Sequence, residues 1–394
     1  MLHYKYLIIG GGMAAASAVE GIREVDPGGE IGVITAEGDP PYDRPPLSKQ
    51  LWTGQKKMDD ILRPVSREGV TFHLQRTAKT LKPAHKQVTD DTGETYTFEK
   101  LLLATGGTPR RLPFGGDNII YLRTLESYRR LRDLAGREDA FAVIGGGFIG
   151  SEIAAALAMN GKKVSIIMPE KGICDRLFPA DVVAFLNDYY RQKGVEVLAN
   201  EMAANLEGRG ADLEVVIKNN RRVAANGVVA GIGIIPNVQL AEAAGLETGN
   251  GILVDAALRT SHPDIFAAGD VANFFDSALG ARRRVEHEDL ANSMGKAAGR
   301  SMAGEPVNFR HSPMFYSDMF EIGYEAVGEL DSRLNVAADW QEKYHTGVLY
   351  YLDESQVRGV LLWNVWGKVD EARALIAAGE KVSAASLKGR IAHS

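Results

Sequence analysis

The sequence predicts an α/β fold with two parallel-sheet domains and a smaller C-terminal α+β domain. Three observations carry this reading. A strand–glycine loop–helix–strand unit occurs twice, about 135 residues apart, as YLIIGGGMAAASAVEGI at 6–22 and FAVIGGGFIGSEIAAALAMNG at 141–161. Strand-like runs alternate with helical patterns around both units, as βαβ crossovers require. A chain of 394 residues also exceeds one comfortable core, since domains run to about 100–200 residues.

Each glycine loop leads into a small-residue helix and then a second strand, at 31–35 in the first unit and 164–168 in the second. Between the units, a hairpin-like region ends in the apolar run 101–103, and ATGGTP at 104–109 turns out of it. YRRLRDL at 128–134 reads as a helix before the second unit. Strands are expected at 213–217 and 228–232, and IFAAGDVAN at 265–273 reads as strand, turn and helix. The last 85 or so residues hold three of the four tryptophans, strand runs at 347–352 and 357–363, and a helix at 369–378.

The glycine loops carry the chemistry. Gly10, Gly12 and Ala15 fit G-x-G-x-x-A, with Glu37 22 residues beyond Ala15; Gly145, Gly147 and Gly150 fit G-x-G-x-x-G, with Glu170 20 residues beyond Gly150. The first glycine permits the tight turn, the second lets backbone N–H groups approach a pyrophosphate, and the third position admits close helix–strand packing. The helix N-terminus presents its positive dipole end to the phosphates. The acid after the next strand can take ribose hydroxyls. Two dinucleotide sites in one chain imply a resident flavin, FAD, and an exchangeable nicotinamide. Glu170 favours NADH over NADPH, because a 2′-phosphate would meet its carboxylate; Lys171 and Arg176 nearby soften that preference.

Composition removes other classes. Forty-five basic against 51 acidic side chains give a net charge of -6, so no overall basic footprint for nucleic acid is present. Cys174 is the single cysteine, which excludes a disulfide framework, cysteine-rich metal sites and a redox dithiol. No apolar run reaches the roughly 20 residues of a membrane span, and no targeting peptide is expected before the strand at 6–9. A cytoplasmic protein is expected.

The longer motifs point to a family. PPYDRPPLSK (40–49), ATGGTPR (104–110), GGGFIGSE (145–152) and FAAGDVAN (266–273) resemble the FAD-dependent pyridine-nucleotide reductases. ARRRVEHEDLANSMGKAAG (281–299), SPMFYSD (312–318), IGYEAVG (322–328) and GVLLWNVWGK (359–368) narrow the resemblance to their apoptosis-inducing-factor-like branch, related to ferredoxin reductases. The resemblance spans essentially the whole chain. It implies a glutathione-reductase-like architecture, with an FAD-binding domain in two segments (1–116 and 247–309), an inserted NAD-binding domain (117–246) and a C-terminal α+β domain (310–394).

It also implies roles. Gly10, Gly11, Gly12, Met13, Ala14 and Glu37 would hold the adenosine end of FAD, with Arg44, Ala78 and Arg110 completing contacts to the nucleotide. Asp270 would bond the ribityl chain. Lys49 would lie beside the isoalloxazine, paired with Glu152, while Glu286, His287 and Glu288 line the ring. Gly146, Gly147, Phe148, Ile149, Glu170, Arg176 and Gly233 would contact NADH, with Phe148 as a gate. Tyr316, Glu325 and Asn364 would complete the nicotinamide pocket, Tyr316 standing where the branch typically has tryptophan. The branch's long C-terminal insertion is absent, as is much of the insertion between Lys49 and Gly69. Lys49, Glu152 and His287 are the candidate catalytic residues; Glu152 is read as a first-turn helix position, and no metal site is expected.

The implied reaction is hydride transfer from nicotinamide C4 to flavin N5, then electron transfer to an external quinone, ferredoxin or small molecule, through a long-lived reduced flavin–NAD charge-transfer complex. A ferredoxin reductase serving an oxygenase or cytochrome P450 is the alternative, and a redox-gated partner-binding protein the third reading. A homodimer is compatible with all three. Arg282, Arg283 and Arg284 read as a solvated loop or as a docking patch for an acidic carrier.

Overall fold

Leu2–Ile9 is an apolar strand over its second half, and its residues 6–9 are all buried, as a parallel strand covered on both faces demands. It lies at the middle of a sheet in the computed structural model, which describes residues 1–65 and 68–393. The chain divides into two units: Met1–Arg44, Met58–Thr108 and Ile235–Pro313 form the first, and Pro45–Lys57, Pro109–Ile234 and Met314–Ser394 the second.

In the first unit, Val70–His73, Ile31–Ile34, Leu2–Ile9, Thr95–Leu103 and Ile265–Ala267 run parallel in that order. Gln87–Asp90 and Ala78–Lys82 extend the sheet as antiparallel strands. Helix Met13–Val25 leaves the first glycine loop and packs on helix Glu288–Met302 so closely that the backbones nearly touch. A Cβ on Gly295 would stand 2.3 Å from the Ala14 carbonyl oxygen, and one on Gly299 2.1 Å from that of Ala18. The expected helix after residue 265 is not formed. One 3-10 turn, Gly269–Val271, passes directly into strand Ala272–Asp276, which pairs with Leu253 on one side and Ala281–Arg283 on the other.

The second unit repeats the βαβ design. Val195–Leu198, Lys163–Ile167, Ala140–Ile144, Gly227–Ala230 and Ile119–Tyr121 form a five-stranded parallel sheet in that order. Helix Phe148–Met159 has eight buried residues, mostly Ala, Ile and Leu, as an element covered on most sides requires. The same unit contains an antiparallel five-stranded sheet ordered Met314–Met319, Ile322–Gly328, Gln356–Trp363, Thr346–Asp353, Asn335–Glu342, followed by helix Val369–Ala378. Its core is aromatic: Trp363 is buried and stacks on Tyr324 at 6.0 Å, whereas Trp366 is exposed. Among the described residues no helix is long and apolar enough to cross a membrane.

Candidate active site

The two glycine loops have the same construction. Gly10 and Gly145 have φ of +119° and +105°, a left-handed region that favours glycine, and a Cβ on either would strike the carbonyl oxygen of Ala104 (2.1 Å) or Gly231 (2.4 Å). Gly11 and Gly146 lie against Thr35 and Met168, the residues that follow the next strand. At Gly150 a Cβ would stand 1.8 Å from the Gly145 oxygen. Gly12 and Gly147 are different: around Gly147 no protein atom lies within 4 Å of a built Cβ, and around Gly12 only the Arg44 guanidinium does, at 3.8 Å. Each loop thus leaves an open cradle at the helix N-terminus, beside the residue where a pyrophosphate must approach. The residues present fit dinucleotides at both.

Each cradle has an acid tied to an arginine. Glu37 takes the Arg44 guanidinium on Oε1 and the Tyr42 hydroxyl on Oε2, both at 2.5 Å. Glu170 takes Arg176 at 2.9 Å, with the Arg176 side chain 83% exposed. The Cys174 N–H donates to the Gly146 oxygen at 2.8 Å, and burial pushes the Cys174 thiol up to about 12, so this cysteine is a loop anchor rather than a thiolate. The Arg110 N–H donates to the Gly233 oxygen at 2.9 Å. Met13 and Ala14 are buried in the first helical turn, and Ala78 begins its strand half-buried.

A buried polar cluster of the second unit surrounds Glu152. This residue lies in the second turn of its helix, not the first, and is 3% exposed. It is therefore a buried counterion rather than a helix-end charge. Lys49 Nζ is 2.7 Å from Glu152 Oε1 with its side chain 8% exposed, and it sits over the Tyr316 ring at 5.1 Å from the centroid. Ser317 Oγ donates to the same oxygen at 2.6 Å, and Ser48 Oγ to Oε2 at 2.5 Å. The segment carrying Lys49 is fixed locally. Trp52 Nε1 donates to Leu47 O, Asn160 to Trp52 O, and Arg132 lies over the indole.

Strand Met314–Met319 alternates in burial, so Phe315, Ser317 and Met319 point inward while Tyr316 and Asp318 share the other face. Tyr316 is paired across the sheet with Glu325, whose carboxyl burial holds above the usual range. Burial also raises the Asp318 carboxyl, with Lys49 opposing and Glu152 reinforcing. Phe148 meets Phe315 edge-on at 5.3 Å, and Ile149 is exposed. The Asn364 amide is engaged on both ends, accepting from Gly323 N–H at 2.7 Å and donating to His345 O at 2.9 Å. Sequence reading missed Ser48, Ser317 and Asp318. A signal for Ser317 existed, since a hydroxyl falls on the inward parity between Phe315 and Met319.

In the first unit, His287 caps helix Glu288–Met302, and burial pushes its imidazole down to about 4, so the ring is neutral at pH 7. Asp270 stands on the 3-10 turn, its carbonyl taking Arg284 at 3.0 Å, and Glu286 pairs with Arg284 at 2.7 Å. Glu288 lies 3.9 Å from Arg63. The basic run at 282–284 is neither a free loop nor a free patch. Arg284 is partly buried, Arg283 pairs with the buried Asp276 at 3.3 Å, and Arg282 donates to the carbonyls of Val254 and Asn273.

The family model for pyridine nucleotide-disulphide oxidoreductases matches residues 4–295. The chain belongs to this family. A second model, for the C-terminal part of mitochondrion-associated apoptosis-inducing factor, matches 298–341 and 335–378. This oxidoreductase is 34% identical over 423 residues to apoptosis-inducing factor 1, mitochondrial, of Dictyostelium discoideum, covering 95% of the chain and 78% of the relative. It is also 34% identical over 343 residues to the ferredoxin reductase subunit of a 5,5′-dehydrodivanillate O-demethylase from a Sphingobium species, covering 83% and 82%. The structure of the covalent putidaredoxin reductase–putidaredoxin complex superposes with a TM-score of 0.91 at 27% identity, covering 98% of this chain and 96% of that one. The protein is an FAD-dependent NAD(P)H oxidoreductase with the mixed α/β fold of its family.

Proposed function

We propose that this oxidoreductase oxidises NADH in preference to NADPH and passes the two electrons to an external acceptor, in the manner of the apoptosis-inducing-factor-like reductases. The observation that carries the reading is the buried Lys49–Glu152 pair beneath Tyr316 in a chain whose one cysteine is a buried loop anchor. A cation so placed suits the edge of a flavin, where negative charge develops. A single thiol offers no dithiol relay.

When bound, FAD would supply at N5 the acceptor for hydride from nicotinamide C4. The chain's own residues bind and orient. In this reading segments 1–116 and 247–309 hold FAD, through the Gly10–Ala14 loop, Glu37, Arg44, Ala78 and Asp270, with Arg110 at the nucleotide. Segment 117–246 holds the nicotinamide nucleotide through Gly146, Gly147, Glu170, Arg176 and Gly233. The C-terminal segment 310–394 contributes Tyr316, Glu325 and Asn364. Glu170 disfavours a 2′-phosphate, and its pairing with Arg176 satisfies a cation that could otherwise welcome one. Neutral His287 serves as packing against the ring rather than as an acid. Tyr316 would stack on the nicotinamide and hold it in place.

A second reading, a ferredoxin reductase, is favoured by the Sphingobium relative and by the putidaredoxin reductase complex. Stopped-flow reduction by NADH, followed by turnover with quinones, a [2Fe–2S] ferredoxin and small acceptors, tests both. Turnover fastest with ferredoxin selects the second. No reduction by NADH overturns both.

A further inference from the structure

We propose that Ser317 and Ser48 are positioning residues for hydride transfer. Their hydroxyl groups fix the Glu152 carboxylate in one rotamer, and the carboxylate in turn fixes the Lys49 ammonium. The proposal rests on the reading that Lys49 faces the flavin.

Three groups from two chain segments converge on one carboxylate. Oε1 takes Lys49 Nζ at 2.7 Å and Ser317 Oγ at 2.6 Å, and Oε2 takes Ser48 Oγ at 2.5 Å. Ser317 is 0% exposed, Ser48 4% and Glu152 3%. A buried ion pair recovers its desolvation penalty only when further hydrogen bonds satisfy the remaining lone pairs, and the two serines supply them. Their sequence context argues against simple packing. On strand Met314–Met319 the inward neighbours of Ser317 are Phe315 and Met319, and a third apolar side chain there would suit the core. Ser48 has another acceptor, Pro45 O, but at 3.4 Å against 2.5 Å to Glu152.

Without the hydroxyls, the carboxylate would keep only its contact with Lys49 and be free to turn. Removing either one loosens the Glu152 rotamer and, with it, the position of the Lys49 ammonium.

The test uses the FAD-loaded protein with Ser317→Ala, Ser48→Ala, Ser317→Thr and Lys49→Met. Stopped-flow reduction by NADH, the flavin potential and the melting temperature are measured for each at pH 7. Both alanine variants should be reduced about tenfold more slowly than the wild type, with the flavin potential displaced in the direction that Lys49→Met moves it. Ser317→Thr should restore both. If Ser317→Ala does not load flavin, Ser48→Ala and Ser317→Thr carry the same comparison. If the alanine variants keep the wild-type rate and potential while Lys49→Met lowers the flavin potential, the positioning role is overturned and the Lys49 reading stands. If Lys49→Met leaves both potential and reduction rate unchanged, the Lys49 reading falls and the proposal with it.

Discussion

Gly147 and Gly150 lie three residues apart in one loop, and alanine at each should fail in a different currency. At Gly147 the backbone has φ −79° and ψ −169°, open to any residue, and no protein atom lies within 4 Å of the new methyl. Folding should not suffer, and the stiffer unfolded chain should add about 0.4–1 kcal/mol. If the pyrophosphate of NADH rests on this loop, the methyl stands between it and the backbone amides. Losing one hydrogen bond to a charged group is worth about 1.5–3 kcal/mol, or roughly a 10- to 150-fold rise in Kd. At Gly150 the methyl would meet the Gly145 oxygen at 1.8 Å, and the helix must retreat from its strand, at about 1–3 kcal/mol or more. The assay is NADH saturation of stopped-flow reduction together with a melting curve and a flavin count. Gly147→Ala should melt at or above the wild type, keep its FAD and bind NADH poorly, while Gly150→Ala should lose stability. Unchanged NADH affinity in Gly147→Ala, or equal destabilisation of both variants, would refute the assignment of this loop to the nicotinamide nucleotide.

Other outcomes follow from the same geometry. Glu170→Ala should narrow the ratio of kcat/KM for NADH over NADPH, since Arg176 loses its partner and becomes available to a 2′-phosphate; an unchanged or widened ratio counts against the carboxylate argument. Tyr316→Trp should lengthen, and Tyr316→Ala shorten, the long-wavelength absorbance after NADH addition in air, by about 0.5–1.5 kcal/mol of stacking; parallel losses of melting temperature with an unmoved band would make Tyr316 a packing residue. Glu152→Ala leaves the buried Lys49 ammonium unpaired and should cost about 3–5 kcal/mol in urea unfolding, whereas the double change Lys49→Met with Glu152→Leu should recover most of it yet still reduce slowly. His287 has a folded value near 4, below the roughly 6.5 of a free histidine, so the unfolded chain binds the proton first as pH falls. The stability it contributes is complete above about 6.5 and lost toward 4, up to about 3 kcal/mol, and His287→Asn should flatten the drop in Tm between pH 7 and pH 4.5.

The parts of this fold legible in sequence are those whose cause is local. Two apolar strands running into three glycines announce the βαβ units because backbone geometry alone demands glycine at Gly10 and Gly145. Helix Val369–Ala378 was legible because its apolar period is uninterrupted. The strand after Gly269–Val271 was not. VANFFD can form a helix or a strand locally, and pairing with Leu253 and Ala281–Arg283 decides it. The arginine run at 282–284 misled for the same reason, since its partners Asp276, Asp270 and Val254 come from other turns of the chain. At the candidate site, Lys49 and Glu152 were paired through a resemblance, not through spacing, for 103 residues separate them. The two serines were missed because a small hydroxyl in a strand is unremarkable until the carboxylate it faces is known.

The same loop serves two different demands, and the surroundings decide which. At the first loop the open position of Gly12 is overlooked by Arg44, whose side chain is 19% exposed and clamped by Glu37. The helix behind it is locked backbone to backbone onto Glu288–Met302. A phosphate arriving there would meet a cation already in place, with little side-chain entropy left to lose. At the second loop no atom of the described residues lies within 4 Å of a Cβ built on Gly147, and the arginine paired with the acid, Arg176, is 83% exposed. Ordering such a side chain on each binding event costs about 0.5–1.5 kcal/mol, which weakens retention and speeds release. A preorganised cradle suits a resident group, and a cradle assembled anew on each encounter suits a nucleotide that must leave after every turnover. This contrast, rather than the glycine pattern the two loops share, supports FAD at the first and NADH at the second.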